Sequence, residues 1–297
     1  MTLISILLSL AADKFLPKLQ EFRQFSWFAG FNAWLRNQLG QRSNGALGVL
    51  LVVGLPVLSV AVAFYLLGKA SILLGFVFGV AVLLYSLGPK DLDAEVQAYI
   101  DAREAGNTDA AHQAATDILH KEISGSAFQL TRAITESILV QANERVLAVL
   151  FWFCVLGPIG AALYRLSSVL RNLSSKEHEE NEFAQAAQRL HAILDWVPAR
   201  LSALGYAVTG SFVDAVANWR SSASNWAGRW EDSSVGVLLA SGTGALQLDI
   251  EHLVNVGLES DVQVEVAQVK SAQALVWRTL VVWVLITALM TLAGWAG

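Results

Sequence analysis

Hydrophobic and polar positions divide this chain into long blocks. Three runs carry no charge at all: residues 46–68 (ALGVLLVVGLPVLSVAVAFYLLG), 70–89, and 279–297 (TLVVWVLITALMTLAGWAG). At about 1.5 Å rise per residue, each run predicts a helix long enough to cross a hydrocarbon core of about 30 Å. A fourth run, 146–164, is interrupted by Gly157-Pro158-Ile159-Gly160. Proline removes a rung of the helical ladder and the flanking glycines permit a reversal, so this run predicts a broken or re-entrant segment spanning 146–172. The first two runs are separated by Lys69 alone and predict a tight hairpin, with Gly75 and Gly79 of GFVFG leaving room for close helix approach.

Between these blocks the chain is polar and helical in period. Residues 90–145 read as two amphipathic helices broken at Gly106-Asn107, with Asn107 or Thr108 capping the second, followed by a helix running through LTRAITESILVQANER into the fourth apolar run. Residues 173–275 form a second helical polar segment, and 276–297 a C-terminal transmembrane helix. The uncharged N-terminal run stops at Asp13 and lacks the positive region of a secretory signal, so it is expected to be retained. With FRQFSWFAGFNAWLR it sets 1–45 as amphipathic helices at the membrane interface, or packed on the polar part. The expected domains are therefore 1–45, the membrane hairpin 46–89, 90–145, 146–172, 173–275 and 276–297. The fold class is an all-α polytopic membrane protein.

Composition agrees with this pattern. Hydrophobic residues make up 55% of the 297 and charged ones 15%, with a mean hydropathy of +0.49, an unusual balance for a soluble chain. A net charge of −5 with no basic block argues against nucleic acid as a partner. The single cysteine, Cys154, rules out an intrachain disulfide scaffold. If 146–164 folds back at 157–160, all polar segments share one face and only Lys69, of the twenty Lys and Arg, lies on the other. The positive-inside rule then places the polar segments in the cytoplasm; if the run instead crosses as a kinked complete span, Lys and Arg divide ten against nine plus Lys69 and set no orientation.

Most chemistry-bearing residues have plain readings. His112 and His120 suit solvated helix faces, and Asp249, Glu251 and His252 match no metal-ligand spacing. SGTGA (241–245) lacks the strand and lysine of a phosphate loop and reads as a turn or close helix contact. KEHEENE (176–182) reads as an acidic helix start. In VANWRSSASNWAGRWED, Trp219, Trp226 and Trp230 suit a small core or a membrane-surface helix. The stretch LDWVPARL (194–201) predicts a corner: Pro198 pushes Val197 out of helical geometry, one helix ends near Trp196, and the next starts at Pro198. Across such a corner the Arg200 guanidinium can meet the Asp195 carboxylate.

Three stretches in order, RAITES (132–137), VLFWFCVLGPIGAALYRL (149–166) and LDWVPARL, resemble landmarks of the CbiB/CobD adenosylcobinamide-phosphate synthase superfamily, and most of all its AmpE branch. The sequence departs from the synthase pattern at several acids. It keeps Glu136 and Ser137 but has Val140 and Gln141 where the synthases carry Glu-Asn, and Glu144 at an Asp. It keeps Tyr164 and Arg165 but has Ser168 and Arg171 where they carry Asn and Asp. The AmpE resemblance implies an inner-membrane signalling accessory without synthase activity or cofactor, linked to AmpC β-lactamase induction and cell-wall recycling, with an AmpD-like amidase as partner. The wider superfamily implies the alternative, an amide-forming synthase of cobamide biosynthesis that uses a nucleotide with magnesium. Either reading gathers Glu136, Glu144, Arg165, Asp195, Trp196 and Arg200 at the membrane surface, as a pocket for an anionic ligand or as a buried ion-pair tie between helices.

Overall fold

The computed structural model describes residues 2–15, 23–40, 45–88, 92–120, 127–176, 181–223, 233–247 and 262–293. Among these run α1 (Thr2–Phe15), α2 (Ser26–Leu39), α3 (Ala46–Ala70), α4 (Ile72–Ser86), α5 (Leu92–Glu104), α6 (Thr108–Leu119) and α7 (Ala127–Ala142). A π-helical turn, Asn143–Leu147, joins α7 to α8 (Ala148–Leu156), and α9 (Pro158–Lys176), α10 (Glu182–Thr209), α11 (Phe212–Ala223), α12 (Ser233–Ala245) and α13 (Val262–Leu292) follow. No strand occurs among the described residues, so the all-α class holds. Trp226, Trp230, Asp249, Glu251, His252 and most of KEHEENE lie outside the described residues.

The chain divides into two compact units: Met1–Pro89, Glu144–Pro198 and Val284–Gly297 in the first, Lys90–Asn143 and Ala199–Trp283 in the second. Within the first, α3 and α4 form the expected hairpin, turning through a single extended residue, Ser71. Gly75 is required there: a Cβ on it would lie 2.9 Å from the Gly68 Cα. The membrane lengths differ from expectation. Helix α4 has 15 residues, about 22 Å at about 1.5 Å each and short of a full span; it stops because Gly88-Pro89 disfavours helical geometry just beyond it. Among the described residues, the helices long and apolar enough to cross are Ala46–Ala70, Gln129–Leu156 and Val262–Leu292. The middle one is the predicted run-on of the 129–145 helix into the fourth apolar block.

That block does fold back. Gly157 takes a left-handed φ of +65°, α9 begins at Pro158, and α8 and α9 pack against each other. A Cβ on Gly160 would sit 2.2 Å from the Trp152 carbonyl oxygen, so glycine sets how closely the two helices approach. Helix α2 buries Phe28 and Leu35 against Val49, Val52 and Val53 of α3 and Leu166 and Leu170 of α9, leaving Trp27 and Trp34 exposed. Helix α1 packs along α4, where the Ser9 hydroxyl donates to the Val80 carbonyl at 3.4 Å.

LDWVPARL makes no corner. Helix α10 runs unbroken from Glu182 to Thr209 with Pro198 inside it. A proline interior to a helix leaves the carbonyl four residues earlier without its N–H, here that of Leu194. The Trp152 indole N–H, from α8, supplies the missing donor at 2.9 Å. Tertiary packing thus removes the penalty that local geometry predicts. In a continuous helix, Asp195 and Arg200 lie about 140° apart around one axis and not on two helices flanking a corner.

In the second unit, α5 and α6 pair about Gly106, whose φ is +68°, and the Asn107 side chain caps α6 by accepting from the Ala110 N–H at 3.0 Å. Their core joins Tyr99, Ile100 and Ile118 to Ile134 and Ile138 of α7 and Val269 and Ala272 of α13. Arg103 forms an ion pair with Glu265, which is buried. SGTGA lies inside α12 as a close helix contact: a Cβ on Gly244 would fall 2.6 Å from the Asp214 carbonyl of α11. His112 and His120 are exposed, as expected.

Two substitutions probe these contacts by thermal unfolding in detergent. Gly160→Ala should destabilise the first unit by about 1–3 kcal/mol through overpacking. Trp152→Phe should cost about 1–3 kcal/mol by stranding the Leu194 carbonyl. The Trp152→Phe cost should shrink when made in a Pro198→Ala background, where a backbone N–H is restored to that carbonyl; an undiminished cost would refute this role for the indole.

Candidate functional site

The polar centre of the first unit is built on α9. Tyr164, Ser168 and Arg171 stand at i, i+4 and i+7, so one helix face presents all three. Opposite them the π-turn carries Glu144, and α10 carries His191 and Asp195, again four residues apart. A π-turn releases backbone carbonyls from the regular ladder, and these carbonyls receive donors from α9 and from the end of α4.

Glu144 is the hub. Its carboxylate accepts from Arg171 Nη2 at 2.9 Å on each oxygen, and from the Ser168 hydroxyl. Tyr164 is fully buried and donates its hydroxyl to Asp195 Oδ1 at 2.7 Å. Ser167 donates to the Tyr164 carbonyl at 2.7 Å and lies 3.3 Å from His191 Nδ1. A serine hydroxyl has one hydrogen, already given to that carbonyl, so Nδ1–H of His191 must donate to Ser167. His191 is therefore held as the neutral Nδ1–H tautomer. Burial is the largest cause of this, the Arg171 charge adds to it, and Glu144 opposes it; the imidazole pKa is pushed down to about 3.

Arg165 is 4% exposed and serves as a tie. Its Nε donates to the Ser86 carbonyl at the end of α4 at 2.5 Å, and its Nη2 to the Arg145 and Glu144 carbonyls of the π-turn at 3.2 and 3.5 Å. The Arg145 carbonyl also accepts the Gly88 N–H at 3.1 Å. Arg23 donates to the Gly88 carbonyl at 2.9 Å and pairs with Asp13 at 2.6 Å. Arg171, at 29% exposure, is the cation of this cluster that reaches the surface.

Of the six residues singled out from sequence, Glu144, Arg165 and Asp195 come together here. Trp196 is half-buried on α10, next to Asp195. Glu136 and Arg200 belong to the second unit, where Glu136 pairs with Arg132 of its own helix at 2.8 Å. Sequence reasoning left out Tyr164, Ser167, Ser168, Arg171 and His191 as site members. The signal was available in the i, i+4, i+7 spacing of 164, 168 and 171 and the i, i+4 spacing of 191 and 195.

The donor set does not suit a divalent cation held by carboxylates. Glu144 is occupied by Arg171 and Ser168, Asp195 by Tyr164, and no cluster of three His, Cys, Asp or Glu occurs among the described residues. What the site offers in excess is guanidinium, which suits carboxylate or phosphate.

Because His191 stays neutral when folded and titrates near its ordinary value when unfolded, the unfolded chain binds the extra proton between about pH 6.5 and about pH 3. Stability from this group is present above pH 6.5 and is lost as pH falls through that window. The thermal midpoint of the protein in detergent should fall over that range, and His191→Gln should flatten the dependence; an unchanged slope would contradict the assignment.

The chain was compared with known proteins. Residues 6–254 match the family model described as CobD/Cbib protein. A cobalamin biosynthesis protein CobD of Stutzerimonas stutzeri (strain A1501) is 34% identical over 175 residues, 56% of this chain and 55% of that protein. The protein of the same name from Chromobacterium violaceum is 31% identical over 180 residues, 60% of this chain and 56% of its own. A probable cobalamin biosynthesis protein CobD of Pyrococcus abyssi is 28% identical over 186 residues, 61% and 62% of the two chains. The chain thus spans little more than half the length of the curated relatives it matches. No solved structure matches. These relatives overturn the expectation of an AmpE-type signalling accessory in β-lactamase induction: they carry cobalamin biosynthesis in their names, and no finding supports the AmpE branch or an AmpD-like partner.

Proposed function

The chain belongs to the CobD/CbiB protein family, and from that premise we propose that it acts in cobalamin biosynthesis as a divergent amide-forming synthase, joining an amine to a carboxylate of a corrinoid precursor at a membrane surface. The observation that carries this reading is the guanidinium of Arg171, clamped by both oxygens of Glu144 at 2.9 Å yet still reaching the surface. Such an arrangement binds an anionic substrate group in a fixed orientation, because the carboxylate removes the freedom of a long side chain before the ligand arrives.

Roles follow from the geometry. Arg171 holds the anionic group of the substrate. Glu144 and Ser168 position Arg171. Arg165 fixes the π-turn that carries Glu144, and the Tyr164–Asp195 bond holds α10 and α9 in register below. The nucleoside triphosphate gives the carboxylate a phosphate leaving group; the amine nitrogen then attacks the acyl carbon, negative charge gathers on the acyl oxygen beside Arg171, and the C–O bond to phosphate breaks as the amine loses its proton. The family resemblance brings a nucleotide with magnesium to the reaction. The carboxylates described here do not make a cage for that ion, so no step is assigned to it.

Purified protein in detergent, supplied with cobyric acid, a short-chain amine and a nucleoside triphosphate with magnesium, should yield the corrinoid amide by mass spectrometry. Arg171→Met should reduce the rate by roughly 100-fold or more, and Glu144→Gln by a smaller factor with weaker substrate binding. Absence of product together with absence of corrinoid binding would reject the proposal.

A further inference from the structure

A cavity of about 650 Å³ in the first unit lies between α2, α3, α4 and α9. Its walls are apolar: Leu55, Pro56 and Val60 from α3, Val82 from α4, Phe31 from α2 and Ala162 from α9 are among them. Arg165 lines it too, beside Ser86. Arg165 is the unusual member of such a lining. Its Nε and Nη2 are spent on neutral backbone carbonyls, and the acid whose charge reaches it, Glu144, is ion-paired with Arg171. A buried guanidinium that shares one carboxylate with a second arginine, set against an apolar cavity, gains from a further anion beside it.

The setting defines the occupant. Helix α3 is one of the three long apolar helices, and Leu55, which borders the cavity, is 42% exposed on it. Trp27 and Tyr85 also line the cavity; the Trp27 indole N–H donates to the Tyr85 hydroxyl at 2.7 Å, and that hydroxyl donates to the Gln24 carbonyl at 3.2 Å. Aromatic side chains with an apolar body and a polar tip collect at headgroup depth in membranes. Tyr85 precedes Ser86 directly, so the aromatic pair and the Arg165 end of the cavity share one level of α4, while Val60 and Val82 line it deeper along the helices. A small polar metabolite finds almost nothing to bond on these walls, whereas an amphiphile matches both ends.

We propose that this cavity binds one anionic glycerophospholipid of the surrounding membrane, its acyl chain among Leu55, Val60 and Val82 and its phosphate within reach of Arg165. The lipid completes the charge of the residue that holds the π-turn, and so supports the fold beneath Glu144. This inference does not depend on the amide-forming reaction.

Native mass spectrometry of the whole protein released from detergent tests it, with phosphatidylglycerol and phosphatidylcholine of matched chains added in turn. A single phosphatidylglycerol adduct is expected, bound about tenfold more tightly than phosphatidylcholine. Val60→Trp fills the cavity and should remove the adduct, while Val77→Trp, at a 54% exposed position of α4 outside the cavity, should keep it. Val82→Phe serves as a second filling variant, and each is used only if its thermal midpoint stays close to that of the parent. Equal affinity for the two lipids, an adduct that survives both filling variants, or a lipid-free dimer in its place would overturn the proposal.

Discussion

Every backbone carbonyl that the helices release inside the first unit has to find a donor, and that requirement organises the rest. Irregular helix is costly away from water, because a buried carbonyl without a partner forfeits a hydrogen bond that solvent would have supplied. Pro198 releases the Leu194 carbonyl, which Trp152 takes up. The π-turn and the end of α4 release those of Glu144, Arg145, Ser86 and Gly88, which Arg165 and Arg23 and the Gly88 N–H take up. Two arginines and an indole therefore serve the main chain before they serve any ligand.

The two arginines of α9 differ in role. Arg165, 4% exposed and bonded to carbonyls, holds architecture. Arg171 meets a side-chain carboxylate and reaches the surface, so it is the one to which the proposed reaction gives the substrate. The two lie six residues apart on α9, on different faces, and that offset lets one helix brace the π-turn on one side and present a binding group on the other.

The departures from the synthase pattern take on a physical sense here. The sequence has Arg171 where the resemblance implies an acid, and in this fold it pairs with Glu144, the acid that the π-turn supplies. Where the resemblance implies a further acid, this chain holds a guanidinium on Glu144, an arrangement that suits anions. Below it, Tyr164, Asp195, Ser167 and the neutral His191 form a buried hydrogen-bonded layer with no exposed charge to compete for the ligand.

The sequence by itself determined the helical class, the α3–α4 hairpin about Gly75, the reversal at Gly157 and the cap at Asn107, because each is a local preference or a periodicity confined to a few neighbouring residues. It also named Glu144, Arg165 and Asp195. It misjudged LDWVPARL, since the rule that proline breaks a helix holds only while the freed carbonyl lacks a donor, and the donor comes from Trp152, 42 residues away in the chain. Hydropathy extended the second apolar run to Pro89 whereas α4 stops at Ser86, because hydropathy does not register where a helix must stop. Only the tertiary structure decided which of the charged residues share a site: Glu144 meets Arg171 and Tyr164 meets Asp195 through contacts of 27 and 31 residues' separation, and no local pattern records which helix faces turn toward each other.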